Sequence, residues 1–282
     1  MRRPRTCAAG DGLLRITAIT PMSQITLERG SQSLIKDISV NDRMFSGDKS
    51  HYFAVGASAL EALDFALLAA HRERQSVQRI LDLPCGHGRV LRYLRSAFAQ
   101  STITACDLDH EAVDYCASTF NAIPCYSEVA PNNISVAGKF DLIWCGSLLT
   151  HLKQEVSRDF LELFDALLAE DGVLVFSVHG ASCAYAIRRG YVDYSLDRNG
   201  IDSLLRSYDD SGYGYADYPG EKEYGISLIS PIWIVSQLQH LCNLRLLSYT
   251  EMGWDHHHDV IACINEPPEK RVIRALGKAT EP

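Results

Sequence analysis

The chain has 282 residues, 46% of them hydrophobic and 22% charged, which suits one α/β domain with additions better than two independent domains. A formal net charge of -8 provides no basic field of the kind that holds a nucleic-acid backbone, so no nucleic-acid partner is expected. Nine cysteines, odd in number and without a C-x-x-C pair, argue against a disulfide framework and a structural zinc site and fit reduced thiols in a cytoplasmic protein.

In chain order, residues 1–45 lack sustained periodicity and read as an N-terminal arm, partly disordered, with Arg2, Arg3 and Arg5 solvated and Met22 a second candidate start. No stretch approaches the roughly 18 uncharged apolar residues of a membrane helix, so neither signal peptide nor membrane anchor is expected. Ala57, Leu60, Leu63, Leu67 and Leu68 recur at helical spacing and predict a helix over 56–74. Strands and helices then alternate: strand 79–83, helix 89–98, strand 102–107, helix 111–120, a weak strand 123–126, strand 140–145, helix 154–168 stopped by Asp171-Gly172, and strand 173–178. Such alternation implies a parallel sheet with right-handed crossovers.

Residues 181–228, rich in Gly and Tyr, are too long for an ordinary connection and read as a lid or binding loop. Ser230-Pro231 reads as N-cap and first residue of a helix to about His240, since proline lacks only a donor that is unpaired there anyway. Strands 244–251 and 259–264 are joined by a short turn and should pair as an antiparallel hairpin. Residues 266–282 form a polar tail, which leaves 46–265 as the domain, with 181–228 as its insertion.

The segment Ile80-Leu81-Asp82-Leu83-Pro84-Cys85-Gly86-His87-Gly88-Arg89 places an acid at the end of a buried strand, then a turn with two glycines, then a helix start. A turn without Cβ atoms lets a ligand approach the backbone. The next strand ends in Asp107, 25 positions after Asp82, where a carboxylate can accept both hydroxyls of an adenosine ribose. This order of elements, with the acid four residues before the first glycine and a terminal hairpin, resembles the class I methyltransferases that use S-adenosylmethionine, over residues 50–265.

The resemblance implies a Rossmann-like seven-stranded, mostly parallel α/β sheet with an antiparallel last strand, helices on both faces and a substrate-covering insertion between strands five and six. It also implies that Asp82, Leu83, Pro84, Cys85, Gly86 and Gly88 surround the methionine part of the cofactor, that Asp107 binds ribose and that Leu108 packs on adenine. By the likeness of 140–152 to the family's fourth strand and following turn, Cys145 and Ser147 would line the methyl-donor cleft. One departure is Pro84, which stands where the family commonly has its first glycine; proline fixes φ and removes a donor. The structural rival, a dinucleotide dehydrogenase, would need its third glycine where Leu91 stands.

Ligands sit beyond the carboxyl ends of the strands of an open parallel sheet, which selects His179 as first candidate base and His151, at the opening of a helix, as second. Consecutive residues of the Trp254-Asp255-His256-His257-His258-Asp259 turn point in different directions and rarely converge on one ion, so no metal is expected there. Eight of the thirteen tyrosines lie between Tyr185 and Tyr224, including Tyr213, Tyr215 and Tyr218, and suit a flat or polar acceptor such as a sugar as well as ordinary packing. The expected activity is methyl transfer to O, N or C of a small molecule; the alternative is a catalytically inactive S-adenosylmethionine-binding regulatory or partner protein.

Overall fold

The computed structural model describes residues 33–241 and 243–275. The arginine cluster at the N-terminus, Met22 and the end of the polar tail lie outside the described residues.

The elements in chain order are α1 (Lys49–Ala69), β1 (Arg79–Asp82), α2 (Leu91–Ala97), β2 (Thr102–Asp107), α3 (His110–Phe120), β3 (Ile123–Tyr126), β4 (Phe140–Cys145), α4 (Gln154–Leu167) and β5 (Leu168–Val178). There follow α5 (Ala181–Arg188), α6 (Arg198–Ser211), β6 (Tyr213–Asp217), β7 (Gly225–Ile229), α7 (Pro231–Leu238), β8 (Leu244–Trp254), β9 (His258–Asn265) and α8 (Pro268–Ala275). Seven strands form one sheet in the order β3-β2-β1-β4-β5-β9-β8, with β1 to β5 parallel and β9 antiparallel to both of its neighbours. This is the Rossmann-like arrangement expected from the sequence.

The central strands read as continuous apolar runs because both faces of the sheet are covered. Ile80, Trp144 and Val175 point to a core shared with α1 and α2, where Val55, Ala59, Leu63 and Leu94 are buried. Leu81, Ile143 and Leu174 point the other way, onto Phe160, Phe164 and Trp233 of α4 and α7. Local signals fix the helix starts: Asp48 accepts the Ser50 and His51 N–H groups at the head of α1, Asp109 does the same for Glu111 and Ala112 in α3, and Ser230 caps α7 with Pro231 in its first turn.

Several expectations need correction. The first helix starts seven residues before the predicted 56 and ends at Ala69, because Tyr52 and Val55 extend its buried face backwards from Asp48. It is also long and apolar enough, by length and composition, to cross a membrane, contrary to the reading that no stretch is. Here its Val55, Ala59, Leu63 and Ala66 face is buried in the domain core. Asp171-Gly172 does not separate α4 from the strand after it: β5 begins directly after α4 at Leu168 and runs through both residues.

The largest correction concerns 181–228, which is not a loop. It holds two helices and the two-stranded antiparallel β6–β7 sheet around a core of Cys183, Ala184, Ile187, Leu196, Leu204, Ile226 and Leu228. Ile201, Leu204, Leu205 and Tyr208 form the apolar stripe of α6 at three- and four-residue spacing, a signal that the Gly and Tyr content obscured. The insertion leaves the sheet at Gly180 and returns to it where the Ile229 N–H donates to the His179 carbonyl at 2.8 Å.

Candidate functional site

The carboxyl ends of β1, β2, β4 and β5 lie along one edge, and the glycine turn is built there. The Leu83 N–H donates to the Trp144 carbonyl of β4 and the Cys85 N–H to the Cys106 carbonyl of β2, both at 3.0 Å. Pro84 sits between these two bonds, after a cis peptide, so the donor it lacks is not missed by either neighbouring strand. The turn closes with the Gly88 N–H on the Cys85 carbonyl at 3.1 Å.

The two glycines do different things. Gly86 has φ +47° and no atom within 4 Å of where a Cβ would stand, so the space beyond it is open to a ligand. Gly88 has φ +79°, but a Cβ there would collide with the Phe120 ring, so its smallness serves the packing of the turn on α3. Asp107, half-buried, accepts the Gly86 N–H at 2.8 Å and the Asp109 N–H at 3.0 Å through different oxygens. One lone pair on each oxygen remains for a further donor. Beside it Leu108 is 55% exposed, an apolar surface next to this carboxylate.

Asp82 is 1% exposed and neither carboxylate oxygen has a hydrogen-bond partner. Burial, and secondarily the nearby Asp107 charge, push its carboxyl well above the usual range. A buried carboxylate without donors is costly unless a cation or donor meets it. Above the ordinary carboxyl pKa the unfolded chain releases this proton while the folded chain keeps it, so the contribution of Asp82 to stability falls as pH rises toward its raised folded value. Asp82→Asn is therefore expected to raise the unfolding midpoint of the unliganded protein at neutral pH by roughly 2–4 °C per kcal/mol recovered. The gain should shrink as pH is lowered toward about 4, where the unfolded carboxyl is protonated as well. Calorimetric scans at both pH values check this, and a midpoint lowered at neutral pH would contradict it.

Not every predicted residue reaches the cleft. The Cys145 side chain is fully buried in the apolar layer with Leu81, Leu83 and Cys106, because β4 turns Trp144 to one face and Cys145 to the other. The following turn is what borders the edge: Ser147, at φ +59°, donates its N–H to Ser177 Oγ at 2.8 Å. Cys85 is also buried, and its contact with Cys116 together with burial holds its thiol protonated.

His151 closes a short 3-10 turn (Leu149–His151) ahead of α4 rather than opening the helix itself. Its Nδ1 lies 2.9 Å from the Gly225 carbonyl, a contact in which Nδ1 carries the hydrogen and Nε2 is left with the lone pair. Tyr218 and Tyr224 of the insertion flank the ring, with centroids at 6.0 and 5.1 Å. Burial lowers the His151 pKa and keeps the ring neutral. Tyr213, by contrast, is a core residue, its hydroxyl on Ser157 Oγ and the Leu152 carbonyl.

His179 is 3% exposed and packs under the insertion with Tyr194, His257 and His258 around it. Sequence reasoning missed this convergence. Of the three consecutive histidines, His256 is exposed while His257 and His258 turn inward, and the residues they meet are His179, just after β5, and Cys183 of α5.

Residues 81–174 match a sequence-family model described as "Methyltransferase domain". No curated protein matches the sequence. Among solved structures, similarity extends to a S-adenosylmethionine-dependent methyltransferase from Clostridium acetobutylicum, at 15% identity and TM-score 0.51, covering 78% of this chain and 93% of that one. Magnesium protoporphyrin IX methyltransferase from Synechocystis, solved with bound S-adenosylhomocysteine, is 12% identical with TM-score 0.51, over 79% of this chain and 89% of that one. An amino pentose methyltransferase from Micromonospora echinaspora is 16% identical with TM-score 0.50, over 75% and 92%. At these identities the structural likeness establishes the fold.

Proposed function

We propose that this chain, a class I methyltransferase in fold and in the sequence of its glycine-turn half, binds S-adenosylmethionine and transfers its methyl group to a small molecule. The observation that carries the reading is the pairing of an orphaned carboxylate, Asp82, with an open glycine cradle, Gly86, at one strand edge. The cofactor's α-ammonium is the cation Asp82 lacks, and its ribose diol matches the free lone pairs of Asp107. Leu108 would take the adenine face, and the turn formed by Leu83, Pro84, Cys85, Gly86 and Gly88, with Ser147 across from it, would hold the methionine part. Cys145 would support that edge from within the core.

When bound, S-adenosylmethionine supplies an electrophilic methyl group on a sulfonium sulfur. The chain's own task is to position an acceptor in line with it, exclude water and, for a hydroxyl or ammonium acceptor, take a proton. His151 has the features for that last step: a neutral ring, oriented by Gly225, with Nε2 as acceptor and two tyrosines beside it. His179, the other candidate, packs among Tyr194, His257 and His258 under the insertion. The aromatic flanks of His151 favour a ring-shaped polar acceptor, a sugar among them.

The test is turnover: S-adenosylhomocysteine release measured over a panel of amino sugars, hydroxylated aromatics and small amines. His151→Asn is expected to lower kcat on the acceptor that works by about 10²- to 10⁴-fold with cofactor affinity unchanged. Cofactor binding without turnover on any acceptor class would favour the regulatory alternative.

A further inference from the structure

We propose that His179, Cys183 and His257 form a three-ligand site for a zinc-type transition-metal ion. The three residues come from different elements: His179 follows β5, Cys183 lies in the first turn of α5, and His257 sits in the turn between β8 and β9. One ligand atom from each lies within 4.8 Å of the other two. Zinc bound at about 2.3 Å to sulfur and about 2.0–2.1 Å to nitrogen sets tetrahedral ligand atoms roughly 3.5 Å apart. Closing the triangle asks for a shift on the order of 1 Å, within reach of a side-chain rotation.

Two further observations point to an ion rather than to chance packing. His179 Nδ1 is buried and has no hydrogen-bond partner, and the ring is 3% exposed. A buried imidazole nitrogen without a partner is a ligand atom that a bound ion would satisfy. The Tyr194 hydroxyl lies 2.9 Å from Cys183 Sγ and 3.1 Å from His257 Nε2, so the site already gathers polar atoms around one point. The donor set, two imidazoles and a thiol without a carboxylate, suits zinc or cobalt and not magnesium or calcium.

On binding, the ion gains two bonds from neutral imidazole nitrogens and one from sulfur, the Cys183 S–H bond breaks, and its proton goes to solvent. The fourth position is left to Tyr194, water or another ligand. Ser177 Oγ lies 3.1 Å from His258 Nδ1 and accepts the Ser147 N–H, which connects the surroundings of this site with the edge of the candidate cofactor cleft.

Metal binding is read on the protein alone and stands independently of methyl transfer. Chelator-treated full-length protein is titrated with Co²⁺ and followed by absorbance. One equivalent per chain is expected, with intense visible bands of tetrahedral cobalt and a thiolate charge-transfer band. Cys183→Ser should abolish that band. His257→Ala should weaken binding by at least the roughly 10- to 100-fold that loss of an outer-shell partner produces, and His256→Ala should leave it intact. Circular dichroism shows that each variant is folded, and the two ligand variants make the outcome independent of either one. A folded wild-type protein that binds no Co²⁺, or a charge-transfer band that persists in Cys183→Ser, overturns the proposal.

Discussion

Gly86→Arg is expected to fold and to bind no S-adenosylhomocysteine. A side chain at φ +47° costs roughly 1–2 kcal/mol, a loss that a domain with the usual 5–15 kcal/mol of stability survives. Beyond its chain neighbours, no protein atom lies within 4 Å of the new Cβ, so the side chain starts out into the space assigned to the ligand. Gly88→Ala is the contrasting variant. Its Cβ is driven into Phe120, an overpacking that costs about 1–3 kcal/mol besides the strain of its positive φ, so it should lower the unfolding midpoint. Titration calorimetry and thermal unfolding on the two variants separate ligand space from packing. Wild-type affinity in folded Gly86→Arg would remove the glycine turn from the binding site.

Asp107→Ala is expected to weaken cofactor binding by at least about a hundredfold. Each hydrogen bond to a charged group contributes about 1.5–3 kcal/mol, and a ribose diol would lose two; every 1.4 kcal/mol is about tenfold in affinity. The loss has a second part, because the same carboxylate ties the Gly86 N–H to the end of β2. Asp107→Asn keeps an acceptor for that N–H and loses one for the diol, so it should fall between wild type and Asp107→Ala. Calorimetry with S-adenosylhomocysteine gives all three affinities. Equal affinity in wild type and Asp107→Ala would mean that the acid serves only to hold the turn.

What could be read from the sequence was whatever is encoded locally. The bounds of β2, β3 and β4 follow from apolar runs between polar ends, and the start of α7 follows from Ser230-Pro231. The glycine turn and both acids are adjacent to strand ends that periodicity fixes. The start of α1 was also encoded, in the spacing of Tyr52, Val55, Ala59 and Leu63 behind an Asp48 cap, and composition masked it. The same holds for the stripe on α6. The facing of Cys145 was legible in principle from strand alternation with Trp144, since successive side chains take opposite faces.

The histidine cluster was not legible. His179, Cys183 and His257 are brought together by the pairing of β5 with β9 and by the way α5 leaves the sheet, both of them tertiary facts. The 254–259 turn alone shows three neighbouring histidines that point in different directions, which predicts no shared ion and one or two side chains facing the acceptor. Likewise, the Gly225 carbonyl that orients His151 lies 74 residues away and belongs to a strand that the sequence reading placed in a loop.

The central claim is that the edge formed by Asp82, Gly86 and Asp107 is a site for S-adenosylmethionine. Titration calorimetry of the wild-type protein with S-adenosylhomocysteine, with NAD as the comparison ligand, tests it before any acceptor is known. Saturable one-site binding of S-adenosylhomocysteine and none of NAD is the predicted result. A folded protein that binds neither, or binds NAD instead, would contradict it.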